Sequence, residues 1–135
     1  MRPASIVQFE RLYLGALAIS VIADAMNWSA AQAAIQRNPQ IAAAGPIVLI
    51  AGLAISYVAM IALWYLAARR QSAVAKWILA IWFVVSTCLI ALALFRGGFA
   101  LSVLAMLGWA AYLLRAVAVS YLFKPDADAW FAKSK

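Results

Sequence analysis

This chain of 135 residues is 69% hydrophobic and only 11% charged. It is therefore too apolar for a soluble domain, in which about half of the residues are apolar and about a quarter are charged. A net charge of +7 in such a chain indicates basic loops beside anionic lipids and does not indicate nucleic-acid binding. The sequence contains no histidine and one cysteine, Cys88, which excludes imidazole ligation of a metal and an internal disulfide.

The first apolar run covers roughly residues 6–26. A bilayer core needs about 20 helical residues, so this run predicts a transmembrane helix. Arg11 lies near its start and is expected to reach lipid headgroups. Ser20 and Asp24 lie one helical turn apart towards its end, and they line either a polar cleft or a surface exposed to outer water. The run also resembles a signal peptide, with Ala-Asp-Ala at 23–25, but we expect it to be retained.

The connection after this run, residues 27–44, is the longest in the chain. Asn27 or Ser29 is suited to cap a short helix that ends before Pro39. Trp28 and Ile35 fall near one face of that helix. The pattern predicts a periplasmic amphipathic helix at about 29–37, lying on the membrane surface. An ordered loop without a partner is the alternative.

Three further apolar runs follow, at about 45–68, 74–95 and 99–123, and each is long enough to span a membrane. Gly52 and Ser56 form a pair of small residues one turn apart in the second span, and Gly108 lies in the fourth. Small residues let helix backbones approach closely. We therefore expect these three residues to form packing faces, within the bundle or against another protein.

Basic residues predict the orientation of the spans. In a four-span arrangement the loop between spans two and three lies on the same side as both termini. This side carries five cations that we expect at lipid headgroups: Arg11, Arg69, Arg70, Lys76 and Lys124. The positive-inside rule makes that side cytoplasmic. The predicted fold is all-α, a single domain over residues 1–135, with four transmembrane helices in an up-down bundle and both termini cytoplasmic.

Two charged residues within the predicted spans need partners. Arg115 lies about 12 Å before the end of span four, and Glu10 lies at a similar depth near the start of span one. The first and last helices of an up-down bundle are neighbours, so we expect an interhelical ion pair between Glu10 and Arg115. Unpaired, each charge would cost a few kcal/mol. The alternative is that Glu10 is the proton-coupled carboxylate of a small transporter.

Three segments carry a resemblance to known proteins: RPASIVQFERLYLG at residues 2–15, ARRQSAVAKWIL at 68–79 and YLFKPDADAWF at 121–131. Together they resemble a group of small four-span proteins of the bacterial inner membrane. The resemblance covers most of the chain. It implies a multi-pass inner-membrane protein, and it implies no activity and no functional residues.

The sequence contains no phosphate-binding loop, metal-ligand set or nucleophile–base pair that would indicate an enzyme. We therefore expect a protein that acts through contact, without a cofactor or a metal. It would be an accessory or scaffolding subunit of a larger membrane complex, or a homo-oligomer, with lipids and other transmembrane helices as partners. The alternative is a small proton-coupled transporter or channel that works as a dimer. Such a transporter would have a water-accessible cavity that reaches Glu10 or Asp24.

Overall fold

A computed structural model describes residues 2–97 and 102–132, apart from the side chains at positions 93, 96 and 97. All regular structure within these ranges is helical. The helices are α1 (Ala4–Met26), α2 (Trp28–Gln36), α3 (Pro39–Ala42), α4 (Pro46–Ala68), α5 (Ala73–Gly97), α6 (Val103–Tyr121) and α7 (Pro125–Ala132). Four of them, α1, α4, α5 and α6, are long and apolar enough to cross a membrane. Over the described residues, the prediction of an all-α protein with four helices long and apolar enough to span a membrane is therefore confirmed. The predicted start of span four at 99 lies outside the described residues.

Two of the long helices start at residues that favour a helix N-terminus. Gly45 precedes α4 with a φ of 57°, a left-handed conformation that glycine adopts without strain, and Pro46 occupies the first helical position. The hydroxyl of Ser102 accepts a hydrogen bond from the backbone N–H of Ala105 at 3.1 Å and so caps α6. Within the helices, the backbone groups bond to one another, which is what an apolar surrounding requires.

The predicted short helix at 29–37 is present as α2, Trp28–Gln36. Ile35 is its buried residue, while Asn27 stands at the N-cap position without a side-chain cap bond. A further turn, α3, was not predicted. Its N-cap is Asn38, whose side-chain oxygen accepts a hydrogen bond from the backbone N–H of Gln40 at 3.1 Å. The turn shows that Pro39 ends one helix and also starts the next.

The core of the molecule is built on one face of α1. Ile6, Phe9, Tyr13 and Leu17 are buried at helical spacing along this face. This helix packs along most of its length against α6, and it also contacts α4 and α7. Small residues on the partner helices allow this close approach. The core residues contributed by the partners include Ala67, Ala68, Ala118, Leu122, Ala127 and Phe131.

The outer faces of α4 and α5 are apolar and exposed. Ile55 and Val58 on α4 are 70% and 66% exposed, and Ile81 on α5 is 60% exposed. None of the most apolar 18-residue stretch of α4 is buried. Soluble monomers rarely expose apolar patches of this extent. Cys88 is exposed on α5 as well, so it is not the small buried residue that a free cysteine usually is.

The last helix, α7, is tied to the starts of α1 and α5. Asp126 accepts a hydrogen bond from the backbone N–H of Ser5 at 3.2 Å, and the ammonium of Lys76 donates to Asp128 at 2.7 Å. The first contact supplies an acceptor for one of the N–H groups that the first turn of a helix leaves unpaired. The Ser5 hydroxyl and backbone N–H both favour the charged carboxylate and lower the pKa of Asp126.

Candidate functional site

A cavity of about 230 Å³ lies among the four long helices. On α5 its lining runs from Leu79 to Ile90, a rise of roughly 16 Å along the helix axis. On α1 it includes Ser20 and Asp24, and on α6 it includes Arg115. The structure thus places both predicted cleft residues on the cavity wall. It also brings a cation and an anion to the same cavity between the four long helices.

Arg115 is held in the cavity wall by Ser20. Its Nη2 donates to Ser20 Oγ at 2.7 Å, and the Ser20 hydroxyl donates in turn to the carbonyl of Ala16 at 2.9 Å. A guanidinium has five N–H donors, so this bond leaves donors for a further acceptor. Among residues 2–97 and 102–132, no carboxylate oxygen lies within 4 Å of Arg115.

The predicted ion pair between Glu10 and Arg115 is not formed. The two carboxylate oxygens of Glu10 accept from Arg2 at 2.6 Å and from Arg69 at 2.8 Å. Helical side chains lean towards the helix N-terminus, so Arg115 extends towards the start of α6 and away from Glu10. Its partner Ser20 lies ten residues beyond Glu10 along α1, a rise of about 15 Å. Equal depth of the two Cα atoms was therefore a poor guide to contact between the charged groups.

Asp24 links α1 to α4. The hydroxyl of Tyr57 donates to Asp24 Oδ2 at 2.6 Å, and Asp24 is half-buried. The carboxylate also borders a second cavity of about 210 Å³, which reaches Trp28 at the start of α2. Asp24 and Tyr57 thus stand between the central cavity and the end of the molecule where α1 finishes. The sequence also allowed Asp24 to be an exposed residue in outer water. Its half-buried position and its bond to Tyr57 do not fit that alternative.

Aromatic side chains of α5 and α6 form another wall of the cavity. The rings of Phe83 and Tyr112 stack with their centroids 5.3 Å apart, and Trp82 lies one position earlier on α5. Thr87 donates its hydroxyl to the carbonyl of Phe83, so Tyr112 must donate its own hydroxyl to Thr87 across 2.9 Å. No motif marks Phe83 or Tyr112 in the sequence, because only the pairing of α5 with α6 brings them together.

An apolar groove continues from the cavity between α5 and α6. It has a volume of about 230 Å³ and shares Ile90, Gly108 and Tyr112 with the cavity wall. A Cβ atom added to Gly108 would meet nothing within 4 Å. The glycine therefore keeps the junction between the cavity and the groove open, and it does not mark a close contact of backbones.

The packing faces predicted from small residues are not packed within the described part of the chain. Gly52 and Ser56 are exposed on α4, and a Cβ atom added to Gly52 would also meet nothing within 4 Å. Gly108 borders the cavity. Close packing of α1 against its neighbours uses alanines of α4, α6 and α7 in place of these residues. Contact of Gly52 and Ser56 with another protein, the other expectation, stays a prediction.

The five cations predicted to meet lipid headgroups divide into two groups. Arg69 is bonded to Glu10. Lys76 is only 7% exposed; it is bonded to Asp128, and its ammonium lies 5.2 Å from the ring centroid of Phe131. The prediction is therefore wrong for Lys76, which is buried against α7. The remaining three are exposed: Arg11, Arg70 and Lys124.

Charged, polar and aromatic side chains line the cavity. Within the part of the chain that the structure describes, no group of three or more His, Cys, Asp or Glu residues is placed to hold a metal ion. Comparison of the chain with protein-family models, curated proteins and solved structures finds no match in any of the three. The cavity offers a guanidinium donor, a carboxylate acceptor and aromatic faces, a combination suited to binding a small molecule.

Proposed function

We propose that the chain is a multi-pass protein of the bacterial inner membrane, an up-down bundle with both termini in the cytoplasm. The support is the distribution of charge. The start of α1, the end of α4 and the start of α5 carry Arg11, Arg69, Arg70 and Lys76 at one end of the molecule, while Arg37 follows α2 at the other. Cytoplasmic loops carry such an excess of arginine and lysine. The hydrogen bond from Ser5 to Asp126 keeps the C-terminal helix at the same end as the N-terminus.

This orientation is tested by labelling single cysteines. Cys88 is first replaced by alanine, and a cysteine is then introduced at exposed Ser29 on α2 or at exposed Ala129 on α7. A membrane-impermeant maleimide added to intact spheroplasts is expected to label position 29 and to leave position 129 unlabelled until the membrane is opened. The reverse pattern would overturn the orientation.

We further propose that the protein is a small transporter, not an enzyme, and that its central cavity binds the solute. The observation that carries this proposal is the cavity itself, lined by Arg115 and Asp24 between spanning helices. Arg115 lies six residues before the end of α6. A charge at the centre of a helix costs about 2.5–3.5 kcal/mol on insertion scales, so an arginine inside a span marks a functional pathway. A transporter was expected to have a water-accessible cavity that reaches Glu10 or Asp24; Asp24 lines this cavity, and its access to water stays a prediction.

The packing of the helices supports a mechanism in which α5 moves. The α1–α6 pair is in contact along most of its length, whereas α5 meets α6 over few residues and is separated from it by the cavity and the groove. A small displacement of α5 would therefore open the site without breaking the α1–α6 core. Asp24, and not Glu10, is the carboxylate that borders the cavity.

A matched pair of variants tests solute binding. Gly108→Phe adds a ring at the cavity, while Gly52→Phe adds the same ring at the exposed face of α4; an added Cβ is free of contacts at both positions. The wild-type protein is solubilised gently, and the small molecules that stay bound are identified by mass spectrometry. We expect Gly108→Phe to lose the bound solute and Gly52→Phe to retain it. Absence of any bound small molecule from the wild-type protein would refute this proposal.

An accessory subunit or homo-oligomer is the second candidate, favoured by one specific observation. Gly52 and Ser56 are exposed one turn apart on α4, the helix whose most apolar stretch is entirely unburied. A pair of small residues on a lipid-facing helix allows a second transmembrane helix to approach closely. In this case Gly52→Phe would remove a partner chain or a second copy from the purified complex, and Gly108→Phe would not. The same two variants thus separate the two candidates.

A further inference from the structure

We infer that the solute of this cavity is a small zwitterion with an apolar side group, of about the size of leucine. Its carboxylate would bind Arg115, and its ammonium would bind Asp24. This inference names the substrate class of the proposed transporter and rests on that proposed function. It is carried by the charges of the wall, their positions and the aromatic surface beside them.

The formal charge of the cavity wall is balanced. Among the residues that the structure describes, its lining contains one cation, Arg115, and one anion, Asp24. A solute with a net charge would leave one charge uncompensated in a site of low dielectric, where an unpaired charge is strongly unfavourable. A zwitterion keeps the balance and gives each wall group an opposite charge. The balance therefore favours a zwitterion over an anionic or a cationic amphiphile.

The two charged groups are positioned from neighbouring turns of α1. Arg115 is bonded to Ser20, and Asp24 follows Ser20 by four residues, a rise of about 6 Å along α1. A zwitterion with its carboxylate and ammonium on one carbon atom presents both charges over such a short stretch of the wall. Both wall groups are held in advance, Arg115 by Ser20 at 2.7 Å and Asp24 by Tyr57 at 2.6 Å. Pre-organised groups bind with less loss of conformational freedom.

The remaining surface selects an apolar side group. Trp82, Phe83 and Tyr112 present aromatic carbon to the cavity, and Met60 and Ile90 add aliphatic surface. The volume of about 230 Å³ corresponds to about eight water molecules, which is room for leucine. Asp24 also borders the second cavity, which reaches Trp28.

The test compares three probes on the full-length protein in detergent by isothermal titration calorimetry: leucine, 3-methylbutylamine and 4-methylpentanoate. The amine lacks the carboxylate of leucine, and the acid lacks its ammonium. Loss of one charge-assisted contact is expected to weaken binding about tenfold or more, so leucine should bind the wild-type protein tightest. This comparison requires no variant and therefore does not depend on the folding of a mutant.

Two variants assign each charge to its wall group. Asp24→Asn should bind leucine and 4-methylpentanoate within about threefold of each other, because the ammonium no longer has its carboxylate partner. Arg115→Gln should do the same for leucine and 3-methylbutylamine. If Arg115→Gln does not fold, Arg115→Lys is used in its place. This variant keeps the charge and should retain the preference for leucine. Glu10→Gln, outside the cavity wall, is the matched control and should bind like the wild type.

The results that would overturn the inference differ from those that would refute transport itself. Tighter binding of the acid or of the amine than of leucine would show a charged solute. Failure of all three probes, while mass spectrometry finds another molecule lost in Gly108→Phe, would also reject the zwitterion and keep the solute-binding cavity. No small molecule in the wild-type protein by either method would reject both.

Discussion

Replacing Glu10 by glutamine tests whether this residue stabilises the end of the bundle or takes part in binding. Its side chain is 15% exposed and its two oxygens are bonded to Arg2 and Arg69, whose side chains are 36% and 44% exposed. Glutamine keeps the shape of the side chain and removes its charge. We therefore expect a loss of stability and no loss of solute binding.

The magnitude follows from the exposure of the partners. Hydrogen bonds to charged groups contribute about 1.5–3 kcal/mol, whereas ion pairs in water contribute about 0.2–1 kcal/mol. Both arginines are more than a third exposed, so each pair is assigned about 1 kcal/mol, the upper end of the exposed range. The expected loss of unfolding free energy is thus about 2 kcal/mol for Glu10→Gln and about 1 kcal/mol for Arg69→Gln.

The assay is a double-mutant cycle. Unfolding of the wild type, Glu10→Gln, Arg69→Gln and the double variant is followed in mixed micelles as the fraction of denaturing detergent is raised. The expected coupling energy is about 1 kcal/mol, and it should decrease at high salt because these partly exposed charges are screened. Arg70→Gln changes the exposed neighbour of Arg69 and should alter stability by less than about 0.5 kcal/mol.

Two results would refute this reasoning. A coupling energy of zero would mean that the contact between Glu10 and Arg69 does not stabilise the fold. Loss of solute binding in Glu10→Gln, at unchanged stability, would instead place Glu10 in the transport pathway. That outcome would support the alternative drawn from the sequence, in which Glu10 is the proton-coupled carboxylate of a small transporter.

Two further predictions concern α7. Asp128→Ala should destabilise the protein by about 1–3 kcal/mol, because it leaves the buried ammonium of Lys76 unpaired. Lys76→Met should destabilise it less, because it leaves only the exposed carboxylate of Asp128 in water. Equal losses in the same micelle titration would contradict this asymmetry. The pKa of Asp126 is lowered in the folded state, so its stabilising contribution is present above the unfolded value of about 3.9 and is lost as pH falls through the lower folded value. Fluorescence of Trp130 should report release of α7 in that acidic range, and Asp126→Asn should remove the pH dependence; release near neutral pH would argue against this assignment.

The sequence by itself determined which segments form the four long apolar helices, and it placed the starts of α1, α4 and α5 within two residues. Long apolar runs are sufficient for this, because a chain surrounded by lipid must satisfy its backbone hydrogen bonds internally and expose apolar side chains. The short helix α2 was predictable from local spacing, although Asn27 makes no side-chain cap bond and Ser29 lies inside the helix. Pro46 at the start of α4 is a further local signal of this kind.

Contacts between helices were decided only by the tertiary structure. Asp126 meets Ser5 across 121 positions and Lys76 meets Asp128 across 52, and neither pairing leaves a local pattern. The partner of Arg115 depended on the direction in which its side chain leans and on the register of α6 against α1. Periodicity specifies the face of a helix but not its height relative to a neighbour.

The cavity also depends on how the helices pack, which only the tertiary structure decides. The spacing of Ser20 and Asp24 places them on one face of α1. It does not predict that this face borders a cavity that Arg115 also lines. A void is the volume that packed helices leave unfilled, and here it exists because α1 and α6 pack closely while α5 does not close against α6. Side-chain volumes along one helix do not specify this gap, because its size depends on the distance and angle between helices.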